Sequence, residues 1–100
     1  MSAFDAAQPF FIVDLTYLAP LERIDALLAG HTAFLKEGYE TGRFIFSGPK
    51  DPRTGGVIVA TAESLADIEA FLATDPFHKA GAVEYRITAF TPKMKADWIS

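Results

Sequence analysis

Histidine occurs only twice in this 100-residue chain, and one of the two, His31, falls in the middle of an apolar stretch with helical spacing. A carboxylate brought beside such an imidazole fixes which ring nitrogen carries the proton, and the pair can then take and return a proton near neutral pH. The carboxylate best placed for this is Asp75, in the segment Thr74-Asp75-Pro76-Phe77. Pro76 disfavours helical geometry at the residue before it, so the helix rising from Ser64 is expected to end near Asp75. Asp75 also suits the cap of a short turn, Pro76 to Ala80, with proline first and Gly81 ending it. Capping uses one carboxylate oxygen and leaves the other for His31, so a cap alone and a cap with a function both stay open. A histidine on an apolar face also reads as a satisfied core residue or a polar tie between two helices.

Ser47 supplies a hydroxyl beside a glycine-rich turn. It lacks the strand-turn-helix elbow of a nucleophilic serine, so a hydrogen bond to a substrate oxygen suits it better than attack. His78 falls on a short polar turn and is expected to be solvated. His31, His78 and Asp75 have no helical ligand spacing, and no metal site is expected from them. The glycine-rich loop does not lead into a helix and lacks the lysine-hydroxyl ending of a phosphate-binding loop.

The elements that must position these groups follow from periodicity. Phe10 to Tyr17 alternates as a strand, with Phe11, Val13, Leu15 and Tyr17 on its buried face. Pro20 then opens a helix of about twenty residues in which Leu21, Ile24, Leu27, Leu28, His31, Leu35 and Tyr39 form one stripe, ended by Gly42 at the latest. Phe44 to Ser47 is a short strand, Gly48 to Gly56 a loop of turn formers, and Val57 to Ala62 the next strand. Ser64, with Asp67 three residues on, starts the second helix, and Ala82 to Phe90 is the last strand. In the tail, Met94, Trp98 and Ile99 are expected to pack on the body or a partner.

The order strand, helix, strand, strand, helix, strand predicts a ferredoxin-like α+β fold: a βαββαβ chain forming a four-stranded antiparallel sheet with both helices on one face. Both helices are read as following parallel strands and so as running parallel. His31 lies eleven residues beyond Pro20 and Asp75 eleven beyond Ser64, which puts each about 16 Å along its helix and within reach of the other. The uncovered sheet face, with Phe10, Ile12 and Phe90 among Asp14, Glu84 and Arg86, predicts a homodimer packed through it.

Composition narrows the class. Half of the residues are hydrophobic and nine are Phe, which suits one packed domain and argues against disorder. The domain is read as 1–100, with a core of 10–92, an N-terminal arm of 1–9 and a tail of 93–100. There is no cysteine, hence no disulfide framework or thiolate chemistry. Nine basic against thirteen acidic residues give a net charge of −4, a poor match to nucleic acid. Residues 1–8 lack the pattern of a signal peptide and no segment is long enough to span a membrane, so a cytoplasmic protein is expected.

The same residues carry a resemblance. His31-x-x-Phe34-Leu35, Gly42, Ser47-Gly48-Pro49, Gly55-Gly56, Ser64, Asp75-Pro76-Phe77-x-x-Ala80-Gly81 and the strand from Tyr85 to Phe90 resemble the YCII-related (YciI-like) domain family, from Phe10 to Pro92. The resemblance implies a ferredoxin-like fold, dimeric through the sheet, within the dimeric α+β barrels. It implies that His31 and Asp75 are the active pair and that Ser47 borders their pocket; Gly48, Pro49 and Phe77 are the other expected substrate contacts. Relatives include a dehydrochlorinase for chlorinated hydroxyquinols, and muconolactone-processing enzymes share the barrel fold. The expectation is a small cofactor-independent enzyme that uses the pair as general acid and base on a cyclic phenolic or lactone-type metabolite, by elimination or isomerisation. The alternatives are a non-catalytic ligand-binding or assembly domain in which His31 and Asp75 are structural, and a cofactor-free oxygenase.

Overall fold

The computed structural model describes residues 8–98. In chain order the elements are β1 (Phe10–Tyr17), α1 (Leu21–Glu40), β2 (Phe44–Pro49), β3 (Gly55–Thr61), α2 (Leu65–Leu72), α3 (Pro76–Lys79) and β4 (Val83–Phe90). The sheet order is β2-β3-β1-β4 with every neighbouring pair antiparallel, which is the ferredoxin-like α+β arrangement.

Alternation in the strands decides which face the helices cover. Phe11, Val13 and Leu15 of β1 and Ile58 and Ala60 of β3 are buried in one cluster with Phe34 of α1 and Ile68, Phe71 and Leu72 of α2. A second, smaller cluster joins Ile24 of α1, Phe77 of α3, Ala82 and Val83. All the strand residues in these clusters point to the same side, so the helices lie on one face. The other face carries Ile12, Val59, Phe46 and Phe90, with Phe46 59% and Phe90 42% exposed.

Several expectations need correction. β1 and β3, the strands that precede the helices, pair antiparallel, so α1 and α2 run in opposite directions rather than parallel. α2 stops at Leu72, short of the expected end near Asp75, while Asp75 caps the short helix α3 as its place before Pro76 predicts. The apolar stripe of α1 is met in part: Ile24 and His31 are buried and Leu27 and Leu35 pack on the core. Phe34 and Gly38 are buried as well, whereas Leu21, Leu28 and Tyr39 are each at least 40% exposed. Gly38 belongs in the stripe because the Phe44 ring packs against its backbone; a Cβ there would sit 2.1 Å from a Phe44 ring carbon. β2 runs on through Pro49, so Ser47, Gly48 and Pro49 are strand residues, and β3 begins at Gly55. Met94 and Trp98 are almost fully exposed and do not pack on the body. Ile99 and residues 1–7 of the expected arm lie outside the described residues.

Candidate active site

His31 is the eleventh residue of the twenty in α1 and so lies near the middle of a helix about 30 Å long. That central position explains why the depth match with Asp75 survives the reversal of α2: the distance to either end of α1 is nearly the same. α1 comes close to α3 at Gly30, where a Cβ would stand 3.0 Å from Pro76 Cγ. The absent side chain lets the Asp75-Pro76 corner approach the helix carrying His31.

Local sequence sets the other half of the site. Asp75 is the N-cap of α3, its Oδ1 accepting from the Phe77 backbone N–H at 3.0 Å, with Pro76 as the first helical residue and Gly81 closing the turn at φ +67°. His31 Nδ1 meets the same Oδ1 at 2.9 Å. Capping therefore does not reserve one oxygen and free the other, since both donors share Oδ1. The second oxygen, Oδ2, accepts from the hydroxyl of Tyr85 on β4. Asp75 is wholly buried, and its charge has three donors from three different elements.

The imidazole is held by packing as well. Its ring stacks on Phe77 at 4.0 Å between centroids and 10° between planes, with Phe34 5.8 Å away on a tilted plane. With the carboxylate accepting at Nδ1, the proton of the neutral ring lies on that nitrogen and Nε2 keeps its lone pair. No hydrogen bond reaches Nε2 among the described residues, and His31 retains 9% of its surface in contact with solvent. An imidazole held in this way can accept a proton at one nitrogen while the other stays anchored.

Tyr85 is the residue that sequence reasoning missed. The signal was present: alternation in β4 puts Tyr85 on the covered side with Val83 and Ile87, and a tyrosine turned inward needs a partner for its hydroxyl. Burial first, and the bond to Asp75 second, hold its phenol well above the ordinary tyrosine value.

The remaining expected contacts are placed differently. Phe77 is 1% exposed and supports the imidazole ring through its face. Ser47 lies on β2, at the opposite edge of the sheet from β4 and about 14 Å across it by strand spacing. Its hydroxyl is bonded to the Tyr39 hydroxyl at 2.6 Å, and no contact joins it to His31 or Asp75. Gly48 and Pro49 follow it as exposed residues paired with Val57 and Gly56. An open groove of about 430 Å³ lies beside α1, lined by Gly30, Ala33, Phe34, Glu37, Thr74 and Pro76 among others. It is bordered by the chain neighbours of His31 and Asp75 but by neither residue itself. Among the described residues no three metal-ligating side chains cluster, and no helix is long and apolar enough to cross a membrane.

No match was found among curated proteins. Among solved structures, the chain is similar to 5-chloro-2-hydroxyhydroquinone dehydrochlorinase (TftG) from Burkholderia phenoliruptrix in complex with 2,5-dihydroxybenzoquinone, at 24% identity and a TM-score of 0.65, covering 80% of this chain and 90% of that one. It is also similar to SnoaB, a cofactor-independent oxygenase from Streptomyces nogalater, at 14% identity and a TM-score of 0.53, covering 92% and 99% of the two chains. At these identities the likeness establishes the fold alone, the ferredoxin-like α+β arrangement of the four-stranded sheet and its helices. The sequence itself goes further, since the model of one family matches residues 10–91: this chain belongs to the YCII-related domain family.

Proposed function

We propose that the protein is a small enzyme that moves a proton on a cyclic phenolic or lactone-type metabolite without a cofactor. His31 Nε2 is the base. It removes a proton from a substrate hydroxyl or ring carbon, and the electron pair left behind shifts through the ring. Expulsion of an anion such as chloride, with release of the Nε2 proton to solvent, completes an elimination; return of the same proton from Nε2–H to another atom completes an isomerisation. Asp75 holds Nδ1–H and stabilises the imidazolium while the proton resides there. Phe77 keeps the ring plane, and Ser47, with Gly48 and Pro49, contacts a substrate oxygen. The observation that carries this reading is a buried carboxylate anchoring one ring nitrogen while the other accepts no hydrogen bond from the described residues. Family membership and the likeness to a dehydrochlorinase bound to a quinone support the substrate class.

The test is turnover of chlorinated hydroxyquinols and small lactones by His31→Asn. The Asn amide can keep a donor near the Nδ1 position, so the buried carboxylate stays paired, while Nε2 is lost. We expect the rate to fall by about two to four orders of magnitude with the fold intact. Undiminished turnover in that variant would discard the reading. A second reading, in which the pair is a structural tie in a ligand-binding domain, draws on the complete burial of Asp75 and its three donors. It predicts saturable ligand binding with no turnover in either protein.

The functional unit in this reading is a homodimer packed through the open sheet face, where Phe46, Ile12, Val59 and Phe90 form an apolar surface without helices. Sedimentation at micromolar concentration should give twice the chain mass. A monomer there removes the dimer from the reading.

A further inference from the structure

The arrangement around Asp75 assigns a role to a residue outside the His-Asp pair: we infer that Tyr85 is a positioning residue for proton transfer at His31, acting through the Asp75 carboxylate. This rests on the reading of His31 as the proton carrier.

The donors divide unevenly between the two carboxylate oxygens. The Phe77 backbone N–H and His31 Nδ1 both meet Oδ1, whereas Oδ2 is held by the Tyr85 hydroxyl. Two donors on a single oxygen leave the carboxylate free to pivot about that atom. A donor on the second oxygen removes the pivot and fixes the plane against which the imidazole must align. The three donors also come from different elements. Phe77 is in α3, His31 in α1 and Tyr85 in β4, so only the tyrosine references the carboxylate to the sheet. β4 is firmly registered against β1, with Tyr85 opposite Leu15, and its phenol is a rigid side chain with two rotatable bonds.

The consequence is chemical. A carboxylate fixed in this plane accepts from Nδ1–H and disfavours the alternative tautomer, in which a bare Nδ1 would face a carboxylate oxygen and the proton would occupy Nε2. The lone pair needed for base action is thereby kept at Nε2. The donor is dependable because burial and the Asp75 contact keep the phenol protonated throughout the range in which imidazoles titrate. If Tyr85 instead only filled space and satisfied its own hydroxyl, removing that hydroxyl would affect stability and leave the tautomer untouched.

That difference can be read without a substrate. In protein with ¹⁵N-labelled histidine, at mildly alkaline pH, the wild-type His31 ring should show a protonated Nδ1 and a bare Nε2. In Tyr85→Phe, with the fold retained, the ratio of Nδ1–H to Nε2–H tautomers should fall by about fivefold, the scale of one net hydrogen bond. Placing 4-aminophenylalanine at position 85 restores a donor at the same point and should restore the ratio. An unchanged ratio in Tyr85→Phe overturns the inference, as does a lowered ratio that the amino analogue fails to rescue. If Tyr85→Phe does not fold, 4-fluorophenylalanine at 85 fills the hydroxyl's space without a donor and is scored by the same two outcomes. Failure here leaves the His31→Asn turnover result standing, and loss of catalysis by His31 would not alter the tautomer measurement.

Discussion

Two of the side-chain hydrogen bonds that tie α1 to the rest of the molecule stand in contrast, one at buried His31 and one at exposed Tyr39. At His31 the bond is to a carboxylate with no solvent exposure, and that carboxylate is also held by a backbone N–H and a phenol. At Tyr39 the bond is to Ser47, between two hydroxyls at 2.6 Å, and Tyr39 is 41% exposed. Water can replace either partner in the second contact but none in the first. The comparison teaches that burial, rather than hydrogen-bond length, separates a group the fold depends on from one that is free to exchange its partner for a ligand. It also suits the proposed roles: an anchored base needs permanence, whereas a substrate contact must be able to let go.

The sharpest way to break the contrast is Asp75→Ala. It leaves the Phe77 N–H, His31 Nδ1 and the Tyr85 hydroxyl without their acceptor in a closed space, and should lower unfolding free energy by about 3–5 kcal/mol in denaturant titration. A loss no larger than that of a surface change would mean that the cluster is less closed than its burial indicates.

Tyr85→Phe comes next, with a loss of about 1–2 kcal/mol. It carries a pH signature whose sign is fixed. The folded phenol holds its proton to higher pH than the ordinary tyrosine value of 10.0, so the unfolded chain loses that proton first. The stabilisation is complete below pH 10.0 and declines as pH rises beyond it. Alkaline denaturation should therefore be steeper in the wild type than in Tyr85→Phe, as followed by stability measurements across that range. Equal slopes would show that the phenol is not held in this way.

The smallest stability effect belongs to Ser47→Ala, expected within about 0.5 kcal/mol of wild type by thermal melting. Its consequence should appear in KM, raised by about fivefold for the loss of one substrate hydrogen bond. A stability change as large as that of Tyr85→Phe would erase the distinction between the two contacts.

Much of this was legible locally. The span Phe10 to Tyr17 matches the bounds of β1, with Phe11, Val13 and Leu15 buried as expected, and Ser64 caps α2 by accepting from the Asp67 N–H. The turn after Asp75 is a short helix with the expected proline start. The apolar stripe of α1 holds at Ile24, Leu27, His31 and Leu35 and fails at Leu21, Leu28 and Tyr39, because the exposed residues carry the same hydropathic weight as those that pack. The burial of Ile24 and Phe34 and the close approach of Phe44 to Gly38 show which side of the helix meets the sheet. His31 and Asp75 meet although α1 and α2 run in opposite directions rather than parallel, because a residue at mid-helix is nearly equidistant from both ends.

By itself, the sequence determined the order of the elements, the cap at Asp75 and the apolar setting of His31, since each depends on residues within a few positions of one another. Only the tertiary structure decided that Tyr85 completes the carboxylate's partners and that Ser47 stands apart with Tyr39. Those contacts depend on strand register and on the rotation of a helix about its axis. Both are set by packing between distant segments, which no local pattern encodes.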